Sequence, residues 1–355
     1  MSTEWTKRER IEAIFNREKP DRIPVYDLMF NDAAIEYYSG KKLEYGNGYQ
    51  VTCEAISNCL DMTRNVLGPQ RIREEKDERG FVFHFERWTS WMIKRPFTND
   101  EELINFIKDD IDQLSSLRFD SDYLSDYIKK VEYNQSLLKG TVNLYITPTT
   151  AVNYANYYIG MENLGVLIYD EPELLSEWFK AIRQSELRRI DAIADRRISP
   201  VDIIYADVAQ KDRLSFSPEF LRRELIPDVR DLCDLFHSKG MKVIFHSDGN
   251  IMSILDDLND AGVDGLNPLE IAAGMDIKEI KERFGRNFII CGGIDVSKLM
   301  PYGTKDEVIT ATKELINIAG KDYGLCLGSS TELGNDIPLE NVRAMIETCW
   351  EYGKY

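Results

Sequence analysis

The chain has 355 residues, 43% of them hydrophobic, and a formal net charge of −17 from 61 acidic and 44 basic residues. That sign is wrong for a phosphate-backbone partner, so nucleic acid is not expected. No apolar run approaches the roughly 20 residues of a membrane span, and Met1 to Arg10 is too polar for a leader, so a cytoplasmic protein with no membrane partner is expected.

Six cysteines (Cys53, Cys59, Cys233, Cys291, Cys326 and Cys349) are scattered without a C-x-x-C pair, as suits reduced thiols. An amphipathic helix opens the chain, with Trp5, Ile11, Ala13, Ile14 and Phe15 near one face, and Pro20-Asp21 ends it. Arg22–Met29 follows as a strand. From about 32 to 135 the pattern is irregular. There Arg73–Arg79 reads as a solvated turn between two antiparallel strands, Gly80–Trp88 reads as an aromatic strand, and Asp100–Asp110 reads as a helix. Beyond 141 the rhythm is regular. Apolar strands are expected at Val142–Thr147, Asp202–Asp207, Met241–His246, Val263–Pro268, Asn287–Gly292 and Tyr323–Ser329. Helical patterns lie between them at Pro218–Lys239, Ile251–Ala261, Asp276–Phe284 and Lys305–Ala319.

A weak further strand between 55 and 90 would complete the set. The fold class expected is α/β, a (β/α)8 barrel formed by a single domain over 1–355, with an N-terminal helical and hairpin elaboration. An open doubly wound sheet is the alternative, but neither G-x-G-x-x-G after the first strand nor G-x-x-x-x-G-K-[ST] is present.

In a barrel the residues just past each strand converge on one mouth. Those residues are Asp27, Asn31 and Asp32, then Asp207, His246 and Asp248, Glu270, Cys291 and Asp295, and Ser329 to Glu332. So many acids beside an imidazole must hold a cation, share protons or bind a polar ligand. Zinc is a candidate because His nitrogen and carboxylate oxygen are among its ligands. Blander readings stand beside each residue. Asp248-Gly249-Asn250 can be a turn and helix cap, Glu270 a cap, and Cys291 and Cys326 core. His84 fits a structural place in its hairpin, and His237 a helix C-terminus. Tyr26, Phe30, Asn31, Tyr154, Tyr205 and Asn267 are the candidate lining for a small apolar or aromatic substrate.

Arg22-Ile-Pro-Val25 after "REKPD", "SFSPEFLRRELIP" (215–227), "KVIFHSDGNI" (242–251), "GLNPLE" (265–270), "GGID" (292–295) and the closing segment 337–355 resemble the uroporphyrinogen decarboxylase superfamily, in order and over nearly the whole chain. The resemblance implies a (β/α)8 barrel, and either tetrapyrrole decarboxylation or methyl transfer to or from corrinoid or thiol carriers. The arginine-rich segment with which the decarboxylases clamp substrate carboxylates has no counterpart in 26–40, and the acidic rim argues against a polycarboxylate. The corrinoid-dependent methyltransferases are the more similar branch. Their zinc site reads His-x-Cys, then Glu in some branches, then a distal Cys. His246 matches the His, Asp248 stands for the first Cys, Glu270 matches the Glu, and the distal Cys falls near Thr331. Glu332 or Asp207 would replace the missing thiolates.

The expected metal set is therefore His246, Asp248, Glu270 and Glu332, and the expected catalytic set is Asp207, His246 and Glu270. The function implied is metal-assisted transfer of a methyl group from a small methylated compound, such as an aromatic methyl ether undergoing O-demethylation, to a corrinoid carried by a partner protein. A metal-free lyase of the decarboxylase type, with Asp207 and His246 as acid and base, is the first rival. A non-catalytic ligand-binding barrel is the second. The C-terminal aromatics Trp350, Tyr352 and Tyr355 would pack either on the barrel or, in a homodimer, on a neighbour.

Overall fold

The parallel strands of this chain are short and almost wholly buried, so their side chains are apolar on both faces. The computed structural model describes residues 5–355. The first four residues of the polar N-terminal stretch lie outside them. In chain order the strands are β1 (Met62–Arg64), β2 (Arg73–Lys76), β3 (Val82–Phe85), β4 (Ser90–Lys94), β5 (Val142–Leu144) and β6 (Val201–Tyr205). They continue with β7 (Ala209–Gln210), β8 (Arg213–Leu214), β9 (Lys242–His246), β10 (Gly265–Asn267), β11 (Ile289–Ile294) and β12 (Leu325–Ser329).

Five strands form a parallel sheet in the order β12-β11-β10-β9-β6, and β1 pairs in parallel with β5. Single parallel bridges join the two groups. Val25 meets Leu327 of β12, Tyr26 meets Met62 of β1, and Thr149, beyond β5, meets Tyr205 of β6. The pairings therefore run in a circuit that returns to its start. The expected strand Arg22–Met29 is present only as these isolated contacts. Pro24 has no N–H to give, and the Val25 N–H goes to the Asp61 carboxylate at 2.8 Å rather than into a ladder. At this seam the backbones approach so closely that a Cβ on Gly328 would lie 1.9 Å from the Tyr26 carbonyl oxygen.

Arg73–Lys76, expected to be a turn, is strand β2. Its four charged side chains are all exposed, which an edge strand tolerates, and it pairs antiparallel with β3, which pairs with β4. The helix expected over Pro218–Lys239 is two helices, Pro218–Glu224 and Ile226–Ser238, because Pro227 cannot continue the first. The helix expected over Ile251–Ala261 begins as a 3-10 turn and is helical only from Leu255 to Asp260. The helix at Asp100 runs on to Ser116.

The irregular region shares the core of the regular one: Trp88, Leu103 and Ile107 belong to the same buried cluster as Ile244 and Leu327. Two of the C-terminal aromatics pack on their own chain, and Tyr352 is exposed. The Tyr355 hydroxyl donates to the Gly320 carbonyl at 2.6 Å, and Trp350 lies edge-on to Tyr38. No helix among the described residues is long and apolar enough to cross a membrane.

At the N-terminal end of β1, Asp61 is fully buried and saturated. Its carboxylate accepts from Arg10 Nη1 at 2.6 Å, Arg22 Nη1 at 2.7 Å, Arg22 Nη2 at 3.0 Å and the Val25 N–H. The opposite, C-terminal ends of the strands carry the groups described next.

Candidate active site

Strands β6, β9 and β10 end in register, so Tyr205, His246 and Asn267 stand side by side. The Asn267 side-chain N–H donates to the Cys291 carbonyl of β11 at 2.8 Å, which turns its Oδ1 toward His246 Nδ1, 2.7 Å away. An amide oxygen can only accept, so Nδ1 carries the imidazole proton and Nε2 presents a lone pair. Burial, reinforced by the nearby Arg64 guanidinium, pushes the His246 pKa down to about 3, so the ring is neutral at any working pH.

That lone pair faces two carboxylates. Asp207 Oδ1 lies 3.5 Å from Nε2 and Asp248 Oδ1 lies 3.9 Å away. One ligand atom from each of Asp207, His246 and Asp248 lies within 4.8 Å of the others. The two acids repel. Burial, then the charges of Asp207 and Glu270, push Asp248 up to about 7, although Arg64 opposes the shift. Asp207 is raised too, mainly by burial. Asp248 Oδ1 is enclosed and has no hydrogen-bond partner. A neutral imidazole nitrogen and two close carboxylates offer three acceptor groups whose one internal donor is the Asp248 N–H, an arrangement that a cation or a shared proton can complete. The donor set of one nitrogen and carboxylate oxygens fits a zinc ion or another first-row divalent metal.

The loop carrying Asp248 is held from three sides. Its own N–H reaches Asp207 Oδ1 at 3.3 Å, and the Gly249 N–H donates to Glu270 Oε2 at 2.6 Å. Gly249 adopts φ +78°, and a Cβ there would lie 2.8 Å from the Ala209 carbonyl carbon, so only glycine lets the loop pass the β7–β8 hairpin.

Of the expected metal set, His246 and Asp248 stand in the close group, together with Asp207 from the expected catalytic set. The Glu270 carboxylate accepts from the Gly249 N–H, and Glu332 is exposed and outside the group. Of the expected lining, Tyr26, Tyr205 and Asn267 converge here. Tyr205 meets the His246 ring edge-on at 4.9 Å, and the Tyr26 hydroxyl, pushed up to about 12 by burial, keeps its proton. Phe30 stacks on Trp88. Asn31 is spent on structure: its Oδ1 caps the helix Asp32–Ser39 and its amide donates to the Gly334 and Ile337 carbonyls. The Tyr154 hydroxyl donates to Asp110, away from the acids. Asp27 accepts from the Leu28 N–H and from both Ser329 N–H and hydroxyl, tying the first segment to β12. His84 packs against Trp91, and His237 pairs with Asp264 at 2.7 Å.

Sequence reasoning missed Arg64. It ends β1, is 4% exposed, and touches Tyr26, Tyr205 and His246. Strands β1 and β9 are not neighbours in the circuit, so Arg64 and His246 meet across its interior. The only signal was the short alternation Leu60 to Arg64 inside the range where a weak strand was expected.

A family model described as uroporphyrinogen decarboxylase (URO-D) matches residues 84–352. A methylated-thiol–coenzyme M methyltransferase of Methanosarcina mazei is 29% identical over 205 residues, which are 57% of this chain and 52% of that protein. The chain therefore spans about half the length of that curated relative. A solved structure of a methyltransferase from Methanosarcina mazei shares the fold, with a TM-score of 0.70 at 18% identity over 98% of this chain and 99% of that one.

Proposed function

Because this chain belongs to the uroporphyrinogen decarboxylase family, we propose that it is one of that family's methyltransferases, moving a methyl group from a small methylated compound to a corrinoid on a partner protein in the cytoplasm. The observation that carries this reading is the convergence of the His246 lone pair with two carboxylates, one of which has an unanswered buried oxygen. The parallel circuit is read as a (β/α)8 barrel, and the chain as one domain with a single core.

His246 Nε2, Asp207 and Asp248 would hold zinc. When bound, zinc supplies Lewis acidity toward the heteroatom bearing the methyl group, so that this atom leaves more readily. The remaining work belongs to the side chains. Asn267 fixes the imidazole tautomer and its direction. Glu270 fixes the loop that delivers Asp248. Tyr205 gives the mouth an aromatic face for an aromatic or apolar donor, and the buried Tyr26 holds Arg64 from behind. The rival lyase would use Asp207 and His246 as an acid/base pair without a metal, so metal content separates the two readings.

The test combines elemental analysis with methylation of cob(I)alamin by methoxylated aromatics. Wild-type protein should hold about one zinc per chain. His246→Ala should lose it, and the rate should fall by roughly a hundredfold or more. Retention of both metal and transfer in His246→Ala would refute the site.

A further inference from the structure

Arg64 is a buried cation with only one of its nitrogens in a normal hydrogen bond. It keeps 4% of its surface, and among the described residues no carboxylate oxygen comes within 4.0 Å of it. Its Nε–H is used, donating to the Tyr26 hydroxyl at 2.7 Å. Its Nη2 lies 3.5 Å from His246 Nδ1, but that nitrogen already spends its own proton on Asn267 and has no lone pair to offer. Nη1 has no hydrogen-bonded partner at all among the described residues. The guanidinium lies over the Tyr205 ring at 4.8 Å, a contact that offsets only part of the cost of burying a charge.

Elsewhere the outcome varies: the Nη1 and Nη2 of Arg17 are also buried without a hydrogen bond, with Nη1 3.9 Å from Asp322, whereas the one other arginine as buried as Arg64 among the described residues is fully paired. Arg10, 6% exposed, holds two carboxylates. Arg64 acts through space on Asp207, Asp248 and Glu332, opposing the upward shift that burial gives each, but no carboxylate bonds to it. If those acids hold a divalent cation, their charge is already matched, and Arg64 is left facing the same space. A planar fork of donors with fixed spacing matches a carboxylate, which it binds through two parallel hydrogen bonds.

We infer that Arg64 is the anion-binding residue of the mouth, and that the methyl donor is a small molecule carrying a carboxylate. This rests on the methyl-transfer reading for the word donor, but not for the binding. Residue 64 lies outside the matched stretch 84–352, so the family match does not assign it. Tyr26 acts here as a positioning residue, fixing the guanidinium through Nε so that its outer edge is free.

The test is binding of zinc-loaded protein to three probes that share one ring: 4-methoxybenzoate, the neutral 4-methoxybenzamide, and 4-methoxybenzenesulfonate, by titration calorimetry. The carboxylate should bind at least about tenfold tighter than the amide. Arg64→Met should erase that preference, and Arg64→Lys should keep part of it, with zinc content and thermal midpoint followed in each. Arg64→Lys also serves if Arg64→Met does not fold. Equal binding of acid and amide, no binding of any probe at millimolar concentration, or a preference that survives Arg64→Met would overturn the inference. A sulfonate bound tenfold tighter than the carboxylate would overturn the carboxylate assignment. If Arg64-dependent binding stands while cob(I)alamin is never methylated, the methyl-transfer reading fails and the anion site survives.

Discussion

The two ends of β1 treat buried charge in opposite ways. At its start, Asp61 is enclosed by two guanidiniums and a backbone N–H, and every oxygen is answered. At its end, Arg64 has idle donors, and a few residues across the interior Asp248 has an idle acceptor. The residue types are the same, and the strand between them is three residues long. The difference shows that the chain can satisfy such groups internally where only stability is at issue. Idle groups of both signs also meet at Arg17 and Asp322, but only at the C-terminal strand edge do they stand beside the His246 lone pair, where a ligand can answer them.

The sharpest break in this contrast is Asp61→Asn. Removing the shared acid of a saturated buried network leaves Arg22 without a carboxylate and Arg10 with Asp21 alone, and roughly 3–5 kcal/mol of stability should be lost in denaturant titrations. A loss below about 1 kcal/mol would mean that the two ends are not different in kind. Asp248→Asn should do the reverse. The metal-free protein should melt at the same temperature or higher, because a repelled carboxylate is gone, while zinc affinity falls by roughly tenfold or more. A clear drop in the midpoint without change in zinc affinity would place Asp248 with Asp61 as a structural acid.

Asp228 sharpens the scale between the extremes. It is 2% exposed, accepts from the Ala151 N–H at 2.7 Å, and has only a distant Arg183 at 4.0 Å, so burial pushes it up to about 7. Its folded pKa lies above the ordinary carboxylate value of 3.8, so the folded chain holds that proton to higher pH than the unfolded chain does. Stability from this group is therefore present at pH 4 and is lost as pH rises to 7. Chemical denaturation across that window should show the decline, and Asp228→Asn should remove roughly 1–3 kcal/mol of it. Asp27, also held at about 7, would leave a residual slope. An unchanged slope in the variant would show that Asp228 is matched by charge as Asp61 is.

The strands from 201 onward are legible in the sequence because each is a short, mostly apolar run, and the pairing of β6, β9 and β10 then brings Tyr205, His246 and Asn267 together. The metal set is less legible. Spacing from a family motif points to Glu270, with Glu332 or Asp207 only as a substitute for the missing thiolates. Which carboxylate reaches a given atom depends on loop path, and beside the glycine turn at 249 Glu270 accepts from a backbone N–H. Arg64 is hidden for a different reason. A charge at the end of a three-residue strand has no periodicity to declare it buried, and only closure across the circuit makes it so. The seam at Val25 and Tyr26 escapes a strand-by-strand reading because single bridges and side-chain acceptors replace the ladder there.

The hydrogen bond from Asn267 to the Cys291 carbonyl ties imidazole chemistry to a backbone atom rather than to a side chain. Position 291 is therefore free to drift among small apolar residues without disturbing the proton on His246, since every residue supplies the same carbonyl. Position 267 has no such latitude. A carboxylate there would lose the donor to Cys291, and an apolar residue would release the ring to either tautomer. Across related chains the tolerance at these two neighbouring sites should differ sharply, although both are buried to the same degree and only one of them has a reactive side chain.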